Sequence, residues 1–219
     1  MPRLPRTPKA VIFDMDGLIL DTEVHYRASI ISAADERGLP IDARVYEGML
    51  GQPWAGISQL FKQTWGDQFD SDGFRLLWLE HFHARLQTEL KLKTGVVELL
   101  DLLDTLGLPR AIATSSAHYQ VEHHLAGFDL LRRFDTVIAQ GDYVRGKPAP
   151  DPYLLAAERL GVMPADCLAL EDSHNGIRSA HAAGMMAVMV PDLLGPTEEI
   201  MTLCAHVARD LIECMRLLR

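Results

Sequence analysis

The feature that most restricts the fold of this 219-residue chain is an alternation of short apolar runs with helical patterns, broken once by a long stretch that carries helical patterns only. Five runs stand out: Ala10–Phe13, Arg110–Thr114, Thr136–Ala139, Cys167–Leu170 and Ala187–Val190. A polar or glycine-containing turn follows each. Gly95–Leu106 reads as a helix stopped by Gly107, Pro152–Leu160 as one stopped by Gly161, and Asn175–Ala183 as one stopped by Gly184. A glycine just past a helix is the expected stop signal. Strands alternating with helices predict βαβ units and a parallel sheet. Strands that are apolar nearly throughout predict a sheet covered on both faces.

Residues from about Thr22 to Lys93 depart from this pattern. Val24–Arg37 is amphipathic and ends at Gly38, Asp42 is placed to cap a short helix through Met49, and Pro53–Thr64 and Asp72–Leu90 are two further helical segments. We therefore expect an α/β core formed by residues 1–21 and 93–219, with an all-helical domain, residues 22–92, inserted after the first strand. A chain this long buries enough surface to fold without disulfides or structural metal. Cys167, Cys204 and Cys214 form no CxxC pair and read as reduced structural thiols.

The formal charge of −9 argues against nucleic acid, whose phosphates need a basic face, and against an anionic membrane surface. No apolar run approaches the roughly 20 residues of a membrane span. The basic, proline-rich start MPRLPRTPKA is followed by an apolar run, AVIF, too short for a signal-peptide core. These readings predict a cytoplasmic protein.

Chemistry concentrates at the predicted strand ends. In VIFDMDGLILDTE, Asp14 and Asp16 follow the first strand at the carboxyl end of the sheet, where open α/β sheets bind ligands. Two carboxylates this close repel unless a cation lies between them, and Mg²⁺ suits few carboxylates plus a phosphate. A carboxylate can act as a nucleophile, and a neighbouring acid can protonate a leaving group. Gly17 lets the backbone approach a phosphate closely. A turn with incidental acids is the competing reading; an EF-hand loop would need a further acid at a spacing this sequence lacks.

The second strand ends at Thr114, after which Ser115 and Ser116 are placed to open the next helix, a phosphate site or a simple cap. In RGKPAPD, Lys147 lies between Gly146 and Pro148, a stiff setting for a point charge near phosphate. The fourth strand ends in a second acidic pair, Glu171 and Asp172. Asp172 is expected to ligate a metal directly, Glu171 directly or through water, and Ser173 and Asn175 to orient the loop. Acid pair, threonine, lysine and acid pair, each at a strand end, form one constellation.

In that order the motifs DMDG, Thr114, Lys147 and EDSHNG resemble those of the haloacid dehalogenase superfamily, over nearly the whole chain. The resemblance implies a Rossmann-like three-layer core with a parallel sheet and a helical cap inserted after the first strand. It implies Mg²⁺ held by Asp14, the backbone carbonyl of Asp16, and Asp172, with Glu171 assisting. Thr114 and Lys147 would hold the phosphoryl group, Asp14 would attack phosphorus, and Asp16 would serve as acid, then base. A carboxylate at position 16 favours phosphoryl transfer over the dehalogenase branch. The β-phosphoglucomutase branch carries a histidine where this chain has Tyr26, with His25 one position away, which favours a phosphatase over a mutase. The implied substrate is a small phosphorylated metabolite, such as a sugar phosphate, and the implied assembly a monomer or weak homodimer.

In the helical insert, Glu47, Gln52 and Trp54 are candidates for substrate selection, with simple packing of Trp54 as the alternative. His81 and His83 are two apart and share no helix face. They and the adjacent His123 and His124 read as surface or helix-end residues.

Overall fold

The computed structural model describes residues 4–50, 52 and 54–218. The chain divides into two compact units, one formed by residues up to Leu20 and from Leu92 onward, the other by Asp21–Lys91.

The first unit is built on a six-stranded parallel sheet: β1 (Ala10–Phe13), β2 (Arg110–Ala117), β3 (Thr136–Gln140), β4 (Cys167–Glu171), β5 (Met186–Met189) and β6 (His206–Val207), in the order β3-β2-β1-β4-β5-β6. Chain progression runs outward from β1 through β2 to β3, then restarts on the other side at β4. The topological switch point is therefore the β1–β4 pair, the location of ligand crevices in sheets of this kind. Their register aligns Phe13 with Leu170, which brings Asp14 and Glu171 out of the sheet side by side.

All four β1 residues are fully buried, as are all five of β4. On one face Ala10, Ile12, Ala111, Ala113, Ile138 and Ala169 pack with helices α7 (Asp151–Leu160) and α8 (His174–Ala182). Small residues dominate the strand side of that layer, which lets the helices approach closely. The alternate side chains of β1 point the other way. There Phe13 meets Phe134 edge-on, with ring centroids 5.6 Å apart. Helix α5 (Val96–Leu106) buries Leu99, Leu100 and Leu103 and stops at Gly107, whose φ of 63° is the left-handed cap. Helix α6 (His118–Ala126) connects β2 to β3. Helices α9 (Glu198–Leu203) and α10 (Leu211–Met215) flank β6 in the chain. β6 is absent from the sequence reading because two residues carry no periodicity. His123 and His124 lie in the last turn of α6, at a helix end as expected, with His124 buried there rather than on the surface.

The second unit is helical: α1 (Glu23–Glu36), α2 (Ala43–Met49), α3 (Trp54–Trp65) and α4 (Ser71–Glu89). Asp42 caps α2 by accepting the Val45 amide at 3.1 Å, and Asp70 caps α4 by accepting that of Gly73 at 2.9 Å. Its core joins Ile30, Ala33, Ala34 and Met49 to a ladder of Phe61, Trp65, Phe69 and Phe74. No helix of the described residues is long and apolar enough to cross a membrane.

Candidate active site

The carboxyl ends of β1, β2 and β4 and the loop after β3 gather the charged groups. Asp14 follows β1, and its amide donates to the Leu170 carbonyl at 3.0 Å, so the ladder between β1 and β4 continues into the site. Lys147 Nζ donates to Asp14 Oδ1 and to Glu171 Oε1, both at 2.5 Å, with only 6% of its side chain exposed. The loop that delivers this lysine is fastened at several points. Arg145 pairs with Asp151 at the start of α7, the Ala149 carbonyl accepts Ser179 Oγ at 2.6 Å, and the Lys147 ammonium lies 5.1 Å from the Tyr153 ring centroid.

Glu171 is fully buried and accepts four hydrogen bonds. Lys147 and Tyr153 Oη, the latter at 2.8 Å, donate to Oε1; the amide and hydroxyl of Ser173, at 3.2 and 3.0 Å, donate to Oε2. A carboxylate offers about four lone-pair positions, so this one is filled. Ser173 also caps α8 by accepting the Gly176 amide at 3.1 Å. Asn175, expected to orient this loop, instead accepts Arg178 on the surface of α8 at 3.1 Å. Gly176 is required for a steric reason: an added methyl would overlap the Glu171 carboxylate. At Gly17, with φ of 82°, it would overlap that of Asp172.

Ligand oxygens of Asp14, Glu171 and Asp172 all lie within 4.8 Å of one another. Three carboxyl groups, those of Asp14, Glu171 and Asp172, thus share the one Lys147 ammonium. Burial pushes the Asp14 carboxyl up to about 8; the Lys147 ammonium opposes this and Glu171 adds to it. Burial also works against charge on Lys147, yet Asp14 and Glu171 more than offset it and hold the ammonium charged beyond a lysine's ordinary range. The lysine is thus satisfied and the acids are left in excess. That deficit, and an all-oxygen donor set, fit a hard divalent cation.

Thr114 is buried at the end of the regular part of β2, its hydroxyl accepting the Ser116 amide at 3.0 Å. Ser115 is exposed. Ser115 and Ser116 do not open α6, which corrects the sequence expectation: both remain in β2, and the helix begins at His118. Ser116 Oγ instead donates to Asp16 Oδ2 at 2.7 Å. Asp14, Asp16, Gly17, Thr114, Ser115, Lys147, Glu171 and Asp172 therefore all sit at one end of one sheet. Glu47, Gln52 and Trp54 belong to the helical unit. Glu47 and Gln52 are exposed, and Trp54 donates to Asp72 at 3.0 Å while Arg75 stacks 4.6 Å from its ring. Sequence reasoning missed Tyr153 and the contact of Ser116 with Asp16. Tyr153 reads as one more apolar position of a helix, and no spacing rule links residues 100 apart.

A family model described as a haloacid dehalogenase-like hydrolase matches residues 8–184. The fructose-1-phosphate phosphatase YqaB of Escherichia coli is 37% identical over 82% of this chain and 95% of its own. The phosphorylated carbohydrates phosphatase of Thermotoga maritima is 32% identical over 81% and 82%. Among solved structures, a haloacid dehalogenase family hydrolase of Deinococcus radiodurans with bound phosphate and sodium superposes with a TM-score of 0.80 at 27% identity, covering 95% of this chain and 93% of that one.

Proposed function

The chain belongs to the haloacid dehalogenase-like hydrolases, and from that premise we propose that it hydrolyses a small phosphorylated metabolite, a sugar phosphate or related phosphomonoester, through an aspartyl phosphate on Asp14 with Mg²⁺ bound. It is a phosphoric monoester hydrolase, and a divalent metal is general to its family. The observation that carries the reading is the Lys147 bridge between Asp14 and Glu171 within the acidic cluster of Asp14, Glu171 and Asp172.

Asp14, the carbonyl of Asp16, and Asp172 would hold the metal, with Glu171 assisting through Lys147. The ion supplies charge stabilisation for the phosphoryl oxygens. Lys147 fixes Asp14 Oδ1, which leaves Oδ2 to attack phosphorus in line. As that bond forms, the ester P–O bond breaks, and Asp16 gives its proton to the departing oxygen. In the second half Asp16 removes a proton from water, the resulting hydroxide attacks phosphorus, and the Asp14–phosphorus bond breaks. Thr114 and Lys147 would hold the phosphoryl oxygens throughout.

A hydrolase outcome is favoured over a phosphosugar mutase by the residues at positions 25 and 26. The Tyr26 ring packs between Trp78 and Phe82, at 4.3 and 5.2 Å between centroids. His25 is buried with Nδ1 3.6 Å from Glu89. Neither offers an unengaged imidazole. A panel of phosphorylated metabolites, assayed with Mg²⁺ for phosphate release, tests the proposal. One or more sugar phosphates are expected to turn over, and Asp14→Asn to abolish release. Conversion of a hexose phosphate to its isomer without release, or activity retained in Asp14→Asn, would overturn it.

A further inference from the structure

We propose that Ser116 is a positioning residue for Asp16: its hydroxyl, delivered by a bulge at the end of β2, fixes the carboxyl of Asp16 for proton transfer to the leaving oxygen. The inference rests on the reading of Asp16 as acid given above.

The pairing of β2 with β3 is regular from Ala111 to Ala113 and then slips. Ala113 is opposite Ile138 and Ala117 opposite Gln140, so four steps on β2 are matched by two on β3. Extra residues in one strand re-aim its side chains, and such bulges recur beside active sites. Here the bulge is held by three bonds that replace the broken ladder. Thr114 Oγ1 accepts the Ser116 amide at 3.0 Å, Tyr143 Oη donates to the Thr114 carbonyl at 3.1 Å, and Gln120 Oε1 accepts the Ala117 amide at 3.0 Å.

What this arrangement delivers is Ser116 Oγ, 2.7 Å from Asp16 Oδ2. The hydroxyl has no capping duty, because the N-cap of α6 is Ala117. An unrestrained Asp side chain turns about its two torsions, and a donor on one oxygen selects a single orientation. With Ser116 donating to Oδ2, the proton that Asp16 transfers is carried on Oδ1. It passes to the ester oxygen as the P–O bond breaks, and a proton from water returns to Oδ1 in the second half.

An alkyl phosphate leaves as a strongly basic alkoxide and needs that proton; an aryl phosphate leaves as a stable phenolate and needs it far less. The test is the ratio of kcat/KM for β-glycerophosphate to that for para-nitrophenyl phosphate, with Mg²⁺ saturating. Asp16→Asn is expected to lower the ratio about 100-fold, Ser116→Ala about tenfold, and Ser116→Thr, which keeps the hydroxyl, less than about threefold. Thermal midpoints of the same variants show that the fold is retained. An unchanged ratio in Ser116→Ala, or equal losses on both substrates, would overturn the inference while leaving the role of Asp16 intact, provided Asp16→Asn lowers it. An unchanged ratio in Asp16→Asn would remove the acid itself, and this inference with it.

Discussion

Tyr153→Phe isolates one hydrogen bond at the centre of the site. The ring is fully buried and stays in the variant, so no cavity opens around it. What is lost is the donor 2.8 Å from Glu171 Oε1. Glu171 is equally buried, and its four donors leave no unused position for a new partner. A hydrogen bond to a charged group is worth about 1.5–3 kcal/mol, and a buried acceptor stripped of a donor forfeits most of it. Packing is conserved, so nothing from a cavity adds to this. We expect a loss of about 2 kcal/mol, or about 4–8 °C in Tm for a domain of this size.

All three tryptophans, Trp54, Trp65 and Trp78, lie within the helical unit. The core should therefore be followed by circular dichroism and amide exchange, with tryptophan emission reporting the helical unit alone. Chelator in the buffer keeps metal binding out of the comparison. In the Glu171→Gln background the same substitution removes a bond to a neutral acceptor and should cost about 1 kcal/mol or less. The reasoning is refuted if Tyr153→Phe costs below about 0.5 kcal/mol, or costs as much with Gln at 171 as with Glu.

Two further outcomes follow from the same residues and from the far end of the chain. Gly176→Ala should destabilise by about 2 kcal/mol or more, although alanine is favoured by about 1 kcal/mol within helices; its methyl overlaps a Glu171 carboxylate that four donors hold in place, and urea unfolding reads the sign. Glu213 is held down to about 2, from 4.5, by the Arg209 amide, the Arg209 side chain and His206. A carboxyl depressed on folding stabilises above its unfolded value and loses that stabilisation as pH falls through the folded one. With the side chain 19% exposed, Glu213→Gln should cost about 1 kcal/mol near pH 7, shrinking toward pH 3. A pH-independent difference in urea midpoint would contradict this.

Much of the architecture is legible because parallel strands buried on both faces are apolar throughout. Ala10–Phe13 could be read as a strand without reference to any partner, and Gly107 and Gly161 mark helix ends by conformation alone. The start of α6 was not legible. Ser115 and Ser116 have the local preference of helix caps, but a bulge fixed by Thr114, Tyr143 and Gln120 keeps them extended. Local preference yields there to contacts that no local window contains.

The two acidic pairs carry the same lesson into the chemistry. In sequence they look equivalent, yet their spacings differ by one residue, and side chains alternate across an extended backbone. Asp14 and Asp16, two apart, tend to the same side. Glu171 and Asp172 are adjacent and take different partners while their oxygens stay within 4.8 Å of each other: Glu171 turns inward to Lys147, Tyr153 and Ser173, and Asp172 lies against Gly17 in the turn after β1. The strand period thus divides the labour of the second pair. One acid, with its oxygens filled, fixes the lysine that fixes Asp14; the other remains at the mouth of the switch point, where a cation and a phosphate would have to enter.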